Sequence, residues 1–182
     1  MKTTPVKELM IPLADYATVS RGATLREAVL ALENAQLALD PSRHKHRAIL
    51  VLDDTGKVVS KLTMKDVLVA IEPNYGKMEG TDVLERSGFS PDMIKDMLED
   101  NALWMEPLQF ICERAAGQKL SNFIQPPSED EYIDENATLA EAAHQLVIYP
   151  YQSLLVTRGE KVVGILRLSD LFSKICEIMK NC

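Results

Sequence analysis

The stretch "VVGILRLSDLF", Val162 to Phe172, reads as a buried β-strand running straight into a helix, and it carries Arg167, Ser169 and Asp170 at the junction. A second stretch of the same design, "VVSKLTMKDVL", spans Val58 to Leu68. Upstream, "ATLREAVLAL" (Ala23 to Leu32) aligns with "ATLAEAAHQL" (Ala137 to Leu146) at an offset of 114, and the same offset sets "ELMIP" over "NFIQP". The two strand-to-helix junctions align at an offset of 104, Asp66 over Asp170, so the first copy is longer by ten residues between its helix and its hairpin.

Each copy carries the same order of signals. Thr24 or Thr138 is spaced to cap a helix with Glu27 or Glu141 three residues on, the reciprocal capping-box arrangement. Apolar residues then recur at helical spacing: Leu25, Ala28, Val29 and Leu32 in one copy, Leu139, Ala142, Ala143 and Leu146 in the other. An apolar run, a turn with Gly56 or Gly159 and a second run predict a hairpin, and a last helix starts near Asp66 or Asp170. The unit is strand, helix, strand, strand, helix. A unit of about 60 residues buries so little apolar surface that its stability alone would be marginal, so pairing of the copies about an approximate two-fold axis is expected.

Between the copies, "TDVLERSG", "SPDMIKDMLED" and "EPLQFICERAAG" predict three short helices, two of them with Pro near the start and the first and last ending on Gly. Met93, Ile94, Met97 and Leu98 form an apolar stripe expected to pack against the module or a second subunit, with Trp104 as an anchor in that packing. The expected organisation is residues 1–71 as the first repeat, 72–119 as a helical insert and 120–182 as the second repeat.

At 182 residues, 46% hydrophobic and 26% charged, the chain has the balance of a folded protein with a real core. A net charge of -7 argues against nucleic acid as a partner, because phosphate backbones are held by clustered Lys and Arg. No apolar run is long enough for a membrane span and the N-terminus lacks a signal-type apolar region, which points to the cytoplasm. Cys112, Cys176 and Cys182 show no metal-ligand spacing and are expected as reduced thiols. The extra loop, "LDPSRHKHR", gathers Arg43, His44, Lys45, His46 and Arg47. It reads either as a solvated surface loop or as an anion contact reaching over a pocket, with His46 and Arg47 as the candidate phosphate contacts.

With two copies in register, the chain resembles a CBS-domain pair, also called a Bateman module. The resemblance rests on "VKELMIP" and "KLSNFIQP", the two "ATL" helix starts, and the ends "SKLTMKD" and "GILRLSD". It implies an α/β (α+β) fold of tandem β-α-β-β-α repeats that share a cleft, frequent homodimerisation, and an adenosine-containing regulatory ligand such as AMP, ADP, ATP or S-adenosylmethionine. By position, Asp66 and Asp170 would accept from ribose hydroxyls, Thr63 and Arg167 would face phosphate with Lys65 and Ser169 beside them, and Thr18, Val19, Tyr132 and Ile133 would border the adenine. No metal and no further cofactor is implied.

The chemistry of these residue types agrees, since a carboxylate accepts two hydroxyl bonds and a helix N-terminus offers N–H groups and a positive dipole end to an anion. Thr63 with Asp66 equally fits a capping box, and Ser169 or Asp170 a simple helix cap. Two departures stand out: Ser60 where the pattern has Gly, adding a Cβ at a place of close approach, and Arg167 where it has a small hydroxyl residue, able to clamp phosphate or to fill its pocket. A regulatory binding module acting on a separate effector protein is one reading. The alternative is a structural or interaction protein with a vestigial cleft, acting through dimerisation and the insert. An enzyme is disfavoured, because no nucleophile, acid pair or phosphate loop marks a reaction centre, and His144 falls in the apolar helix pattern as a packing residue.

Overall fold

The computed structural model describes residues 3–38, 44–72, 74–75 and 90–180. Strands β1 (Ile11–Pro12), β2 (Thr18–Ser20), β3 (Ala48–Leu52) and β4 (Val58–Thr63) and helices α1 (Leu25–Ala38) and α2 (Met64–Ile71) build the first copy. The second copy is built from β5 (Tyr132–Asp134), α5 (Leu139–Ile148), β6 (Ser153–Arg158), β7 (Lys161–Arg167) and α6 (Leu168–Lys180). Between them lie α3 (Pro91–Asp100) and α4 (Leu108–Ala116), while the predicted helix over 81–88 falls outside the described residues.

The copies repeat down to their register. In each, the short first strand runs parallel to the second, Thr18 beside Leu50 and Tyr132 beside Leu155, and the hairpin is antiparallel, Ala48 beside Thr63 and Ser153 beside Arg167. Both hairpins shift register at the equivalent place, after Val51 and after Val156. Both turns use a glycine at positive φ, 82° at Gly56 and 60° at Gly159, where an L side chain would be strained. The predicted caps form: the Glu27 carboxylate accepts from the Thr24 N–H at 2.6 Å and that of Glu141 from the Thr138 N–H at 2.7 Å.

What joins the copies is an exchange. Val6, fully buried, sits in the core of the second copy among Leu139, Leu154 and Leu166, whereas Leu120, its counterpart, sits in the core of the first copy among Leu25 and Leu50. The backbone repeats the swap, with Pro5 bridging Thr138 and Lys119 bridging Thr24. Fully burying such a side chain contributes roughly 1.5–3 kcal/mol, so each repeat draws part of its stability from the other. Strand β1 goes further and pairs antiparallel with β7, making a four-stranded sheet β1-β7-β6-β5 beside the three-stranded sheet β2-β3-β4. Residues 48–51 of β3 and 153–156 of β6 are buried on both faces, because helices cover one side of each sheet and the other repeat covers the opposite side.

Helix α4 packs on α1 and α2 through Ile111 and Ala115, both buried. Trp104 makes its contacts with the start of the insert, where its Nε1 donates to the Tyr75 hydroxyl at 3.0 Å and its backbone N–H to Glu72 Oε2 at 2.9 Å. Of the two partners expected for the stripe on α3, the module is not the one it packs on, since Met93, Ile94 and Leu98 remain exposed in the single chain. His144 is likewise exposed rather than packed, because it falls beside the buried face of α5 that Leu139, Ala142 and Leu146 define. Cys112 and Cys176 are free thiols. Among the described residues no helix is long and apolar enough to cross a membrane, and no group of three His, Cys, Asp or Glu is placed to hold a metal ion.

Candidate functional site

The β4–α2 junction opens onto a cavity of about 620 Å³, within the size range of small-molecule sites. Thr63 ends the strand and caps α2: its Oγ accepts from the Asp66 N–H at 3.2 Å, and Asp66 Oδ2 accepts from the Thr63 N–H and hydroxyl, both at 2.7 Å. The capping box is therefore formed. It does not exhaust the Asp66 side chain, which is exposed and lines the cavity, and an ionised carboxylate offers about four lone-pair sites.

Around Thr63 and Asp66 the cavity gathers Lys45, Arg47 and Lys65 on the first-repeat side, together with Phe123, Ile124, Gln125 and Pro126 from the leading segment of the second repeat. Lys61 lies in its wall and is almost wholly buried, its ammonium paired with Glu131 at 2.6 Å and donating to the Ser153 carbonyl at 2.9 Å. Tyr151 stacks over that ammonium at 5.4 Å. Five cationic side chains thus face the cavity against the two carboxylates of Asp66 and Glu131. Tyr16, at the back, has its phenol pushed up to about 12 by burial, partly offset by the positive charge of Arg167.

The other junction, β7–α6, is built differently. Arg167 replaces the capping hydroxyl, and its guanidinium grips Asp170 in a fork, Nε to Oδ2 and Nη2 to Oδ1 at 2.6 Å each. Its Nη1 donates to the His44 carbonyl at 2.7 Å and lies 3.4 Å from His46 Nδ1. A smaller cavity of about 410 Å³ lies here, lined by Arg167, Asp170, His44, His46, Ser173, Asp15 and the β1 segment.

The structure therefore brings Thr63, Lys65, Asp66, Arg47, Arg167 and Ser169 to one cavity, and places His46, Asp170 and again Arg167 on the other. His46 and Arg47 part company because neighbours on an extended chain point to opposite sides, His46 packing edge-on against the Tyr16 ring at 4.2 Å. Thr18, Val19, Tyr132 and Ile133 line neither cavity. They sit in the parallel outer strands β2 and β5, where Val19 packs on the first core and Ile133 is buried in the second. Sequence reasoning missed Tyr16, Lys61, Glu131 and Tyr151. The available signal was Lys61, a charge in an alternating strand at the position where the second copy has Ile165.

Two copies of one β-α-β-β-α unit, each seeding the other's core and with cavities where hairpin meets helix, define a tandem-repeat module. The CBS domain profile matches residues 6–73 and 124–177, and the chain belongs to the CBS-domain family. CBSX2 from Arabidopsis thaliana is similar over 98% of this chain and 99% of its own, at 16% identity and a TM-score of 0.63. CBSX2 in complex with AMP matches at 16% identity and a TM-score of 0.60, over 97% of this chain and 98% of that one. A CBS domain-containing protein of unknown function from Bacillus anthracis strain Ames Ancestor matches at 18% identity and a TM-score of 0.63, over 97% and 95%. At these identities the likeness shows the fold. No curated protein sequence matches the chain.

Proposed function

We propose that this chain is a regulatory CBS-pair module that binds a phosphorylated adenosine ligand in the Thr63–Asp66 cavity, with no catalytic step of its own. One observation carries the reading: a carboxylate at a helix N-terminus, able to accept ribose hydroxyls, lies in the same cavity as Lys45, Arg47 and Lys65, able to face phosphate. The AMP complex of CBSX2 supports it by fold analogy. Of the ligands considered, S-adenosylmethionine fits least, because its sulfonium and ammonium would meet a lining already rich in cations.

A ligand wedged between the β4–α2 junction and residues 123–127 touches both repeats, so it stabilises whichever relative arrangement it fits best, and only through that difference in affinity can it signal. The exposed apolar residues of α1 (Val29, Leu30), α2 (Leu68, Val69) and α6 (Phe172) support assembly into a homodimer, and the bare α3 stripe supports a docking role for the insert toward an effector, as in the interaction-protein reading. A cytoplasmic setting accords with the two thiols.

The experiment is calorimetric titration of nucleotide-free protein with AMP, ADP, ATP and S-adenosylmethionine. The expected result is nucleotide binding that weakens when Asp66 is replaced by Ala. Absence of heat with every one of them at millimolar concentration would sink the proposal.

A further inference from the structure

The two junctions are equivalent by sequence and unlike in structure. At the first, Thr63 and Asp66 face open space. At the second, three of the chain's own groups, His44, His46 and Arg167, crowd the corresponding place, where about 410 Å³ remains. Arg167, buried to all but 8% of its side chain, has its Nε and Nη2 on the Asp170 carboxylate and its Nη1 on the His44 carbonyl. His44 in turn reaches across to α6, its Nε2 2.7 Å from Ser173 Oγ. His46 is buried behind it, between the Tyr16 ring and the guanidinium.

Residues 44–46 belong to the first repeat and Arg167, Asp170 and Ser173 to the second, so a segment of one repeat is fastened into the half-cleft of the other. The carboxylate that would meet a ribose is already neutralised by a bidentate partner that no hydroxyl can displace at equal strength. A guanidinium held by three contacts inside the fold is also poorly placed to turn toward an incoming phosphate.

A space of about 410 Å³ remains at this junction, but its cation and its carboxylate are engaged with one another. We propose that the chain's own residues narrow the second half-cleft and silence it as a ligand site, Arg167 acting as the bolt that fastens residues 44–46 against α6, and that the protein takes one adenine nucleotide per chain. The stoichiometry rests on the reading of the Thr63–Asp66 cavity given above; the fastening stands on the contacts alone. The device follows from the two features that set the copies apart. The ten extra residues of the first copy give its chain the reach to cross over, and the arginine of the second copy gives it an anchor on arrival.

Two measurements on the full chain test this, with Arg167→Thr copying the first junction and Arg167→Lys keeping the charge but not the fork. Trypsin cleavage after Lys45, followed by mass spectrometry without nucleotide, reads the fastening; it is expected to accelerate roughly tenfold or more in either variant, because cleavage tracks local opening. Calorimetry with ADP reads the number of sites rather than their affinity, because Arg167 also borders the first cavity, and is expected to give about one equivalent per chain in the wild type and about two in Arg167→Thr at saturating ADP. Two equivalents in the wild type would overturn the proposal, as would unchanged cleavage in both variants, or a single equivalent in a folded Arg167→Thr. If neither protein binds ADP while cleavage accelerates, the fastening holds and the nucleotide reading of the first cavity falls instead.

Discussion

Replacing Gly164 by alanine probes the exchange of strands between the repeats. A Cβ at this position would lie 2.5 Å from the Ile11 carbonyl oxygen, 3.0 Å from Met10 Sδ and 3.3 Å from the Ile11 carbonyl carbon. The Met10 sulfur ends a flexible side chain and can turn away. The Ile11 carbonyl cannot, because it belongs to β1, which pairs with β7 at Ile11 beside Ile165 and Pro12 beside Gly164. Relief requires β1 to peel from β7, losing pairing hydrogen bonds at about 1 kcal/mol each on top of an overpacking cost of about 1–3 kcal/mol. Val6 stays anchored in the second core and keeps the damage local. With about two such bonds lost the expected loss is about 3–5 kcal/mol, a drop in melting temperature of roughly 6–20 °C for a chain of this size. The control is the equivalent residue of the first copy, Ser60, which already carries a Cβ and donates its hydroxyl to the Gln125 carbonyl at 2.7 Å. Ser60→Gly is expected to cost only about 1 kcal/mol, the worth of that bond. Urea unfolding of both variants decides the matter, and a Gly164→Ala loss below about 0.5 kcal/mol at unchanged m-value would show that β1 does not approach so closely.

Asp66→Ala is expected to cost about 1 kcal/mol through the lost cap of α2 and to weaken ADP binding by about tenfold or more; equal affinity would remove Asp66 from the ligand site. Arg167→Ala and Asp170→Ala should each destabilise by roughly 2–4 kcal/mol, since either leaves a largely buried partner uncompensated, and the double variant should lose clearly less than the sum; additive losses in a double-mutant cycle would refute the pairing. Glu27 and Glu141 are held below the usual 4.5 by the N–H groups of Thr24 and Thr138, and Glu135 by Arg158. Their folded forms bind protons less readily than the unfolded chain, so this stability is present above about pH 4.5 and is lost as pH falls further; urea midpoints against pH should show the decline, shallower in Glu141→Gln. Tyr16 works at the other end: with its phenol raised from 10.0 to about 12, the folded state holds the proton more tightly, so stability present below pH 10 fades between 10 and 12, and Tyr16→Phe should flatten that alkaline loss.

The fold was legible because duplication leaves a trace that local noise does not erase. Constant offsets carried Pro12 onto Pro126 and Asp66 onto Asp170, and every element of one copy then vouched for its equivalent. The capping boxes at Thr24, Thr63 and Thr138 were readable because three-residue spacing is a local rule. The exchange of Val6 and Leu120 between cores was not readable, since periodicity says that a residue is buried and is silent on which copy buries it. The same limit governed the cavities. Thr63, Lys65 and Asp66 were found because they sit on one junction, whereas Lys61, Glu131 and Tyr151 meet only after the second repeat folds against the first. Thr18 and Val19 share a chain neighbourhood with Tyr16, yet Tyr16 alone reaches the cavity, because β2 turns its residues toward the first core.

The sequence differences between the copies push in one direction. At the first junction, Ser60 holds the leading segment of the second repeat by a single hydroxyl bond to Gln125, and no strand forms there, so residues 123–127 line a cavity of about 620 Å³. At the second, Gly164 lets the leading segment of the first repeat come into full strand pairing, and the space left is about 410 Å³. Thr63 leaves its junction to a short side chain, whereas Arg167 brings a guanidinium across its own and ties it to Asp170 and His44. A serine for a glycine and a threonine for an arginine thus separate a wider half from a narrower, self-paired one on the same backbone. The narrower half also holds the repeats together, through the β1–β7 pair and the His44–Arg167 contact; on the proposed reading, it is the fixed side against which a ligand in the wider half would act.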